Sequence, residues 1–321
     1  MRSVLVPASL AALALTLTFA PAEAQRRYPL APQTSAGDYL HPMFESWYTN
    51  PDGSHTISFG YYDRNEGGDP MYIPIGPDNF VTPAEYDGMQ PEYFPERRER
   101  GVFTVTVPPD WPSTEAVTWT LRNHGGEYSV PGRWGVGAYE MSHLGMAAGS
   151  LPPVIRMDEG GPIHSGIVEP FFAEDKEAEV GEPLELTIWA RDNMRDDATR
   201  DSSDVSVTWY KHQGAGAVVF SPDPTPPEPP AADSADAAAG RGGRAGGGGG
   251  GGGGGRGGGP PPPNVATSPV AGDGMTTVMA TFAEPGDYML RVFVIAEGAG
   301  DSSYGNQCCW TAGYVRVEVD D

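Results

Sequence analysis

The chain has 321 residues, of which 44 are Gly, 33 Pro and two Cys, and its formal net charge is −23. Length alone gives a prior of two domains, and the Gly and Pro content is too turn-rich for a helical bundle and suits an all-β protein. So acidic a chain repels nucleic acid and anionic lipid rather than gathering them, which excludes nucleic-acid partners.

Residues 1–24 read as a secretory signal peptide. Arg2 gives a positive start, an apolar run extends from Leu10 to Ala20, and Ala22-Glu23-Ala24 is a small-x-small cleavage site before Gln25. The apolar run is too short to span a bilayer as a mature helix, and no later stretch is a transmembrane candidate. No Cys follows the cleavage site, so a lipoprotein anchor is not expected. The mature chain is therefore expected to be exported, to the periplasm, cell surface or medium. Residues 25–41, rich in Pro and polar side chains, form an extended N-terminal segment.

The first β region opens after Asn50-Pro51-Asp52-Gly53, a strong turn signal. Ser54 to Tyr62 alternates, with Ile57, Phe59 and Tyr61 on one face and Thr56, Ser58 and Gly60 on the other, the period of a half-buried strand. Met71 to Ile75 is short and β-like, and ends at Gly76-Pro77. Gly101 to Val107 places Phe103, Val105 and Val107 on one face and stops at Pro108-Pro109. Glu115 to Arg122 places Val117, Trp119 and Leu121 inward, and Gly125-Gly126 turns it back into Glu127 to Val130 as a hairpin. Together these predict a first β-sandwich domain over 42–135. Residues 136–165, where Gly and Pro surround a helical turn or two at Tyr139 to Ala148, read as a connection packed on that domain.

The second β region, 166–321, carries seven expected strands. The first is near Ile167 to Phe172. Leu184, Leu186, Ile188 and Ala190 then alternate with Glu185, Thr187, Trp189 and Arg191, and Val205, Val207 and Trp209 with Ser206, Thr208 and Tyr210. Ala217 to Phe220 is a short apolar strand. Val278, Ala280 and Phe282 point inward, Glu284-Pro285-Gly286-Asp287 is a turn, and Tyr288, Leu290, Val292 and Val294 share the next inward face, although Phe293 and Ile295 make its other face apolar too. Val315, Val317 and Val319 end the chain. Seven short alternating strands with frequent turns predict an immunoglobulin-like sandwich. Residues 222–272 interrupt it. Residues 240–259 hold 16 Gly, and Pro260 to Pro263 follow. Such a composition buries no core and is expected to form a long disordered Gly/Pro-rich inserted loop. It falls between the fourth and fifth strands and does not separate domains. Loop length is thermodynamically tolerable, at about 0.6 kcal/mol per doubling.

The runs VGEPLELTIWARD, VSVTWYKHQGAGAVVF and TTVMATFAEPGDYMLRVFVIAEG resemble the PKD-type and related Ig-like modules of bacterial surface and secreted proteins. The resemblance rests on the Trp209 strand followed by Gly214-Ala215-Gly216, and on Phe282 and the Pro285-Gly286-x-Tyr288 turn. It covers about 166–321 and implies a fold more than an activity. Residues 55–121 resemble a set of uncharacterised exported bacterial proteins, which implies no assigned chemistry.

Two features stand out as candidate sites. The loop between the second and third strands of this region contains Asp192, Asp196, Asp197, Asp201 and Asp204, hard oxygen ligands of the kind that suit calcium. The EF-hand spacing is absent, and Arg191, Arg195 and Arg200 lie among the acids, so a solvated, internally paired loop is the alternative. The second is Cys308-Cys309. Export permits disulfides, but adjacent cysteines cannot staple distant strands. The options are a strained vicinal disulfide, either redox-active or ligand-contacting or shaping a turn, intermolecular bridges, or two semi-buried thiols. In an Ig-like sandwich the acidic loop, the insert and the segment Glu297 to Thr311 all belong to one pole. The basic run Arg97, Arg98 and Arg100 reads as a paired loop. Trp47, Tyr48, Tyr61, Tyr62, Trp111 and Trp134 read as core before they read as sugar-stacking platforms.

Catalysis has little support. The six His are scattered, and H-E-x-x-H, G-x-S-x-G and P-loop motifs are absent. The expectation is an exported, non-catalytic binding or assembly protein of the cell envelope, presenting β-sandwich loops to an envelope protein or glycan. The alternatives are a redox or hydrolytic envelope enzyme using the Cys pair or a carboxylate site, and a structural spacer.

Overall fold

The computed structural model describes residues 39–65, 70–141, 149–166, 169–199, 201–222, 265–270, 274–296 and 310–321. The expected leader, most of the extended N-terminal segment, residues 223–264 of the insert, and Cys308-Cys309 lie outside the described residues. The fold is all-β, with two single 3₁₀ turns at Ala84–Tyr86 and Gly137–Tyr139 as its helical content among them.

The first sandwich is built from β1 (Leu40–Thr49), β2 (His55–Asp63), β3 (Met71–Tyr72), β4 (Asn79–Thr82), β5 (Tyr93–Phe94), β6 (Arg97–Val107), β7 (Val117–Asn123) and β8 (Gly126–Gly132). One sheet has the order β1-β2-β6 and the facing one β4-β7-β8, with β3-β5 as a small ribbon. Alternation places Ile57, Phe59, Phe103, Val105, Val117, Trp119 and Leu121 between the sheets. The β1–β2 turn is held by Asn50: its carbonyl accepts from Gly53 N at 2.9 Å, and its N–H donates to Ser54 O at 2.8 Å. Gly53 supplies the left-handed φ of +87° that this turn needs. The β7–β8 hairpin turns one residue earlier than expected. His124 and Gly125 both have positive φ, the requirement of a tight two-residue hairpin, and Gly126 is already paired with Asn123.

The second sandwich has β9 (Ser150–Arg156), β10 (His164–Ser165), β11 (Lys176–Glu179), β12 (Pro183–Met194), β13 (Val205–Gln213), β14 (Val218–Pro222), β15 (Val265–Val270), β16 (Gly274–Phe282), β17 (Gly286–Ala296) and β18 (Trp310–Asp320). Its sheets are β10-β9-β12-β16-β14 and β11-β18-β17-β13-β15. Every pair is antiparallel except β11 with β18, which run parallel, as a first strand does when it crosses to lie beside the last strand of an Ig-like sandwich. The inward positions read from the alternation form one core: Leu186, Ile188, Ala190, Val205, Val207, Trp209, Val278, Ala280, Phe282, Leu290, Val292, Val294, Val315, Val317 and Val319.

Three elements differ from the sequence expectation. Residues 150–156, assigned above to the connection, form β9, which pairs with β12 inside the second sandwich. Pro152-Pro153 conceals it. The strand tolerates them because only Val154 and Ile155 pair with β10, while Pro152 O accepts from Ser165 Oγ at 2.8 Å and from Asn193 Nδ2 at 3.2 Å. Val265–Val270, inside the expected insert, is β15, an edge strand paired with β13. Pro269 and the biased neighbouring composition hide it. Of the strand expected near 167–172, the described part is a single bridge from Phe172 to Tyr314, and the edge strand lies later, at Lys176–Glu179.

The two sandwiches pack sheet to sheet. The outward face of β17 and β18, which carries Arg291, Phe293, Ile295, Trp310, Ala312 and Tyr314, lies against the outer face of β1-β2-β6. Trp310, Ala312 and Tyr314 are buried there. This explains why β17 is apolar on both faces, and why β2, expected to be half-buried, is buried on both. Tyr314 Oη donates to Val102 O at 3.0 Å, and His212 Nε2 donates to Met89 O at 2.9 Å. Gln213 Nε2 donates to the carbonyls of Gly88 and Gln90, both at 2.9 Å. Gly101, with φ +55°, leaves room for the Trp310 indole, whose Nε1 would stand 2.6 Å from an added Cβ. At the centre, Arg291 faces Glu99 at 3.5 Å, and Tyr210 Oη donates to Glu99 at 3.3 Å.

Candidate binding pocket on the outer sheet

With one sheet of the second sandwich turned towards the first domain, the outer face of β10-β9-β12-β16-β14 is left open. Here β9, β12 and β16 lie side by side, and the pleat sends Val154, Arg156, Trp189 and Arg191 outward. On β16 the residue in register with Trp189 is Met275, and Gly274, in register with the core residue Ala190, begins that strand at the edge of a depression. The turn after β9 closes the depression with Gly160, Gly161 and Ile163. Gly160 takes φ +70°, and Gly161 N donates to Asp158 O at 3.0 Å. The cavity has a volume of about 280 Å³.

Its electrostatics run against the rest of the molecule. Among the described residues the lining is Val154, Ile155, Arg156, Gly160, Gly161, Ile163, Trp189, Ala190, Arg191 and Gly274, which includes two arginines and no acidic residue in a chain with 43 of them. The Arg156 guanidinium lies 4.3 Å from the Trp189 ring centroid, a cation–π arrangement that holds its planar fork in place. Of the two acids of the turn, Glu159 is exposed and Asp158 is occupied elsewhere: its carboxylate accepts from Glu174 N at 3.0 Å and pairs with Lys176 at 3.5 Å. Ile163 is 70% exposed, and Met275, in register with Trp189, is 58% exposed. The site therefore combines fixed positive charge with exposed apolar walls.

The residues singled out in the sequence sit differently. Asp192 is buried; its Oδ1 accepts from Asn193 N at 2.9 Å, and its Oδ2 from Ser203 N at 2.9 Å and Ser203 Oγ at 3.3 Å. Asp197 is held by both arms of Arg195 at 2.7 and 2.6 Å, and this bonding lowers its pKa from the ordinary carboxylate value. Asp196, Asp201 and Asp204 lie exposed along the same loop. Among the described residues no group of three or more His, Cys, Asp or Glu is placed to hold a metal ion, so the five aspartates are not brought together as a calcium cage. Cys308 and Cys309 lie outside the described residues. The strand ends that carry their segment do meet the acidic loop, since Ala296 pairs with Val205 and Trp310 with Ile295. The insert is anchored further in, at Pro222 opposite Val278 and Val265 opposite Tyr210, and joins an edge of one sheet to an edge of the other.

Within the basic run, Arg98 grips Glu45 with two bonds of 2.8 and 2.7 Å, and Glu99 reaches across the domains to Arg291. Trp47 and Tyr61 are buried, while Trp134 is half-buried and stacked on His55 at 3.9 Å. Sequence reasoning passed over Arg156, Gly160 and Ile163, which fell in the connection. The alternation sets Trp189 and Arg191 on the face opposite Leu186, Ile188 and Ala190, which the structure shows to be the outer one. A Trp at an outward strand position was the one available signal.

No family model matches the chain, and no curated protein matches it. Among solved structures, it is similar to the ASH/PapD-like domain of human CEP192 (10% identity, 54% of this chain and 87% of that chain, TM-score 0.25). It is also similar to the D00-D0 domain of Intimin (11% identity, 88% and 100%, TM-score 0.23). A third likeness is to Escherichia coli alpha-2-macroglobulin (7% identity, 88% and 16%, TM-score 0.24). Similarity at this level carries no functional argument, and the sandwich assignment rests on the strand order and core described above. No helix among the described residues is long and apolar enough to cross a membrane.

Proposed function

We propose that the chain is an exported, non-catalytic binding or assembly protein of the cell envelope, which presents the outer face of its second sandwich to a protein or glycan partner. The observation that carries this reading is the pocket around Arg156 and Trp189, an arginine-lined depression with exposed apolar walls on an acidic molecule. The leader-like residues 1–24 support export. The sheet-to-sheet packing of the two domains supports a rigid mount, because it leaves that face clear.

The test places a photo-cross-linking amino acid at Ile163 in the full chain, in intact source cells, with Glu127 on the first domain as control position. The expected result is a discrete adduct from Ile163 that is absent from Glu127. Equal yields from the two positions refute a dedicated binding face. Export is checked by mass: a mature chain beginning at Gln25 in the envelope or medium is expected, and an intact leader in the cytoplasm refutes it.

A further inference from the structure

The lining of the pocket also selects a ligand class, an inference that rests on the binding role just proposed. A guanidinium stacked on an indole offers a planar, pre-oriented fork of donors, the geometry that matches a carboxylate. The second arginine, Arg191, lies on the same face in the next outward position of β12; of the two turn carboxylates, Asp158 is held by Lys176 and the Glu174 amide, and Glu159 is exposed outside the lining. The remaining walls are aliphatic: Val154, Ile163 and the rim residue Met275.

Sugar hydroxyls are read by planar polar side chains, amides that donate and accept and carboxylates that accept, and among the described residues no Asn, Gln, Asp or Glu lines this pocket. A polyanionic glycan would also bring many charges to a molecule whose own net charge is −23, and long-range repulsion opposes its approach. A single carboxylate next to an apolar group meets neither obstacle. A cavity of about 280 Å³ lies near the lower end of ordinary ligand pockets and accommodates one or two side chains rather than an oligosaccharide. We propose that the Arg156–Trp189 pocket takes a short segment of a partner protein in which one carboxylate adjoins an apolar side chain, the carboxylate on Arg156 and the apolar group against Ile163 and Val154.

The carboxylate comes either from a side chain or from a free C-terminus, and fluorescence polarisation on the full chain separates the two. The probes are labelled peptides with a Leu-Glu-Leu core and amidated end, its Leu-Gln-Leu isostere, a Ser-Glu-Ser version, and an uncharged peptide ending in Leu with a free carboxylate. At least one carboxylate-plus-Leu probe is expected to bind about tenfold or more tightly than the Gln isostere and the Ser version. Arg156→Ala and Trp189→Ala, each with an unchanged melting temperature, should remove that preference, and Arg133→Ala on the first domain should leave it intact. Failure of both the Leu-Glu-Leu peptide and the free-carboxylate Leu peptide to bind more tightly than the Gln isostere overturns the proposal, as does a preference that survives Arg156→Ala. Saturable binding of a polyuronic acid that Arg156→Ala abolishes, without peptide discrimination, also overturns it. That last result, like an Ile163 cross-link with no peptide preference, leaves the binding role standing and refutes only the ligand class.

Discussion

Replacing Arg291 with Met tests the interdomain packing most sharply. Arg291 is 3% exposed and Glu99 20% exposed, with Nη2 and Oε2 3.5 Å apart. At an effective dielectric constant of 20, two unit charges at that separation attract by about 5 kcal/mol, before either has been charged for leaving water. The guanidinium also lies 4.5 Å from the Tyr210 ring centroid. Its Nε and Nη1 find no hydrogen-bond partner among the described residues, which solvate the pair incompletely. Such a pair adds little net stability, yet removing one member strands the other. Arg291→Met keeps the aliphatic stem and leaves Glu99 without its counter-charge, and should cost about 3 kcal/mol at pH 7. The double variant Glu99→Gln/Arg291→Met removes both charges and should lie within about 1 kcal/mol of the parent. Urea unfolding of the four proteins completes the cycle. The pH dependence supplies an independent sign. Burial raises the Glu99 pKa, and the Arg291 charge pulls it back down. In Arg291→Met the pKa rises further, so the penalty exists above that pKa and fades as pH falls towards the ordinary glutamate value. A single-variant cost below about 1 kcal/mol, costs that simply add, or a cost that grows on acidification would refute the reasoning.

Two further outcomes follow from the described geometry. His212, buried between the domains, has its pKa pushed down to about 3, first by burial and then by the Arg291 charge, while its bond to Met89 O acts the other way. The unfolded chain therefore takes up a proton between about pH 6.5 and 3 that the folded chain refuses, and stability falls with falling pH by up to about 1.4 kcal/mol per unit. His212→Gln should flatten that slope in acid-unfolding curves, and an unchanged slope would count against it. For the acidic loop, Asp192 and Asp197 are already bonded within the chain, so calcium and a chelator should give melting temperatures within about 1 °C of each other. A calcium-dependent rise of several degrees would show that the loop rearranges around the ion.

Sequence and structure contributed different parts of this account. Side-chain period two determined the inward faces, because a residue one step along a strand points to the opposite side of the sheet. Val205, Val207 and Trp209, or Val315, Val317 and Val319, were readable without coordinates for that reason, and so was the all-β class. Strands that contain Pro or adjoin biased sequence were not readable: β9 with Pro152-Pro153 and β15 with Pro269 exist through tertiary pairing that offsets their poor local propensity. The apolar second face of β17 was visible as Phe293 and Ile295, but what covered it depended on a sheet more than 180 residues earlier in the chain, which local periodicity cannot report. The candidate site shows the same division. Trp189 was legible as an outward side chain. Its pairing with Arg156 required β9 and β12 to become neighbours, and the exposed Met275 in register with it required β16 beside them. The sequence by itself determined the alternation, the charge and the turns, all properties of residues close along the chain. Only the tertiary structure decided which sheet face was left open and which two arginines meet there, because both depend on strands that come together from distant parts of the sequence.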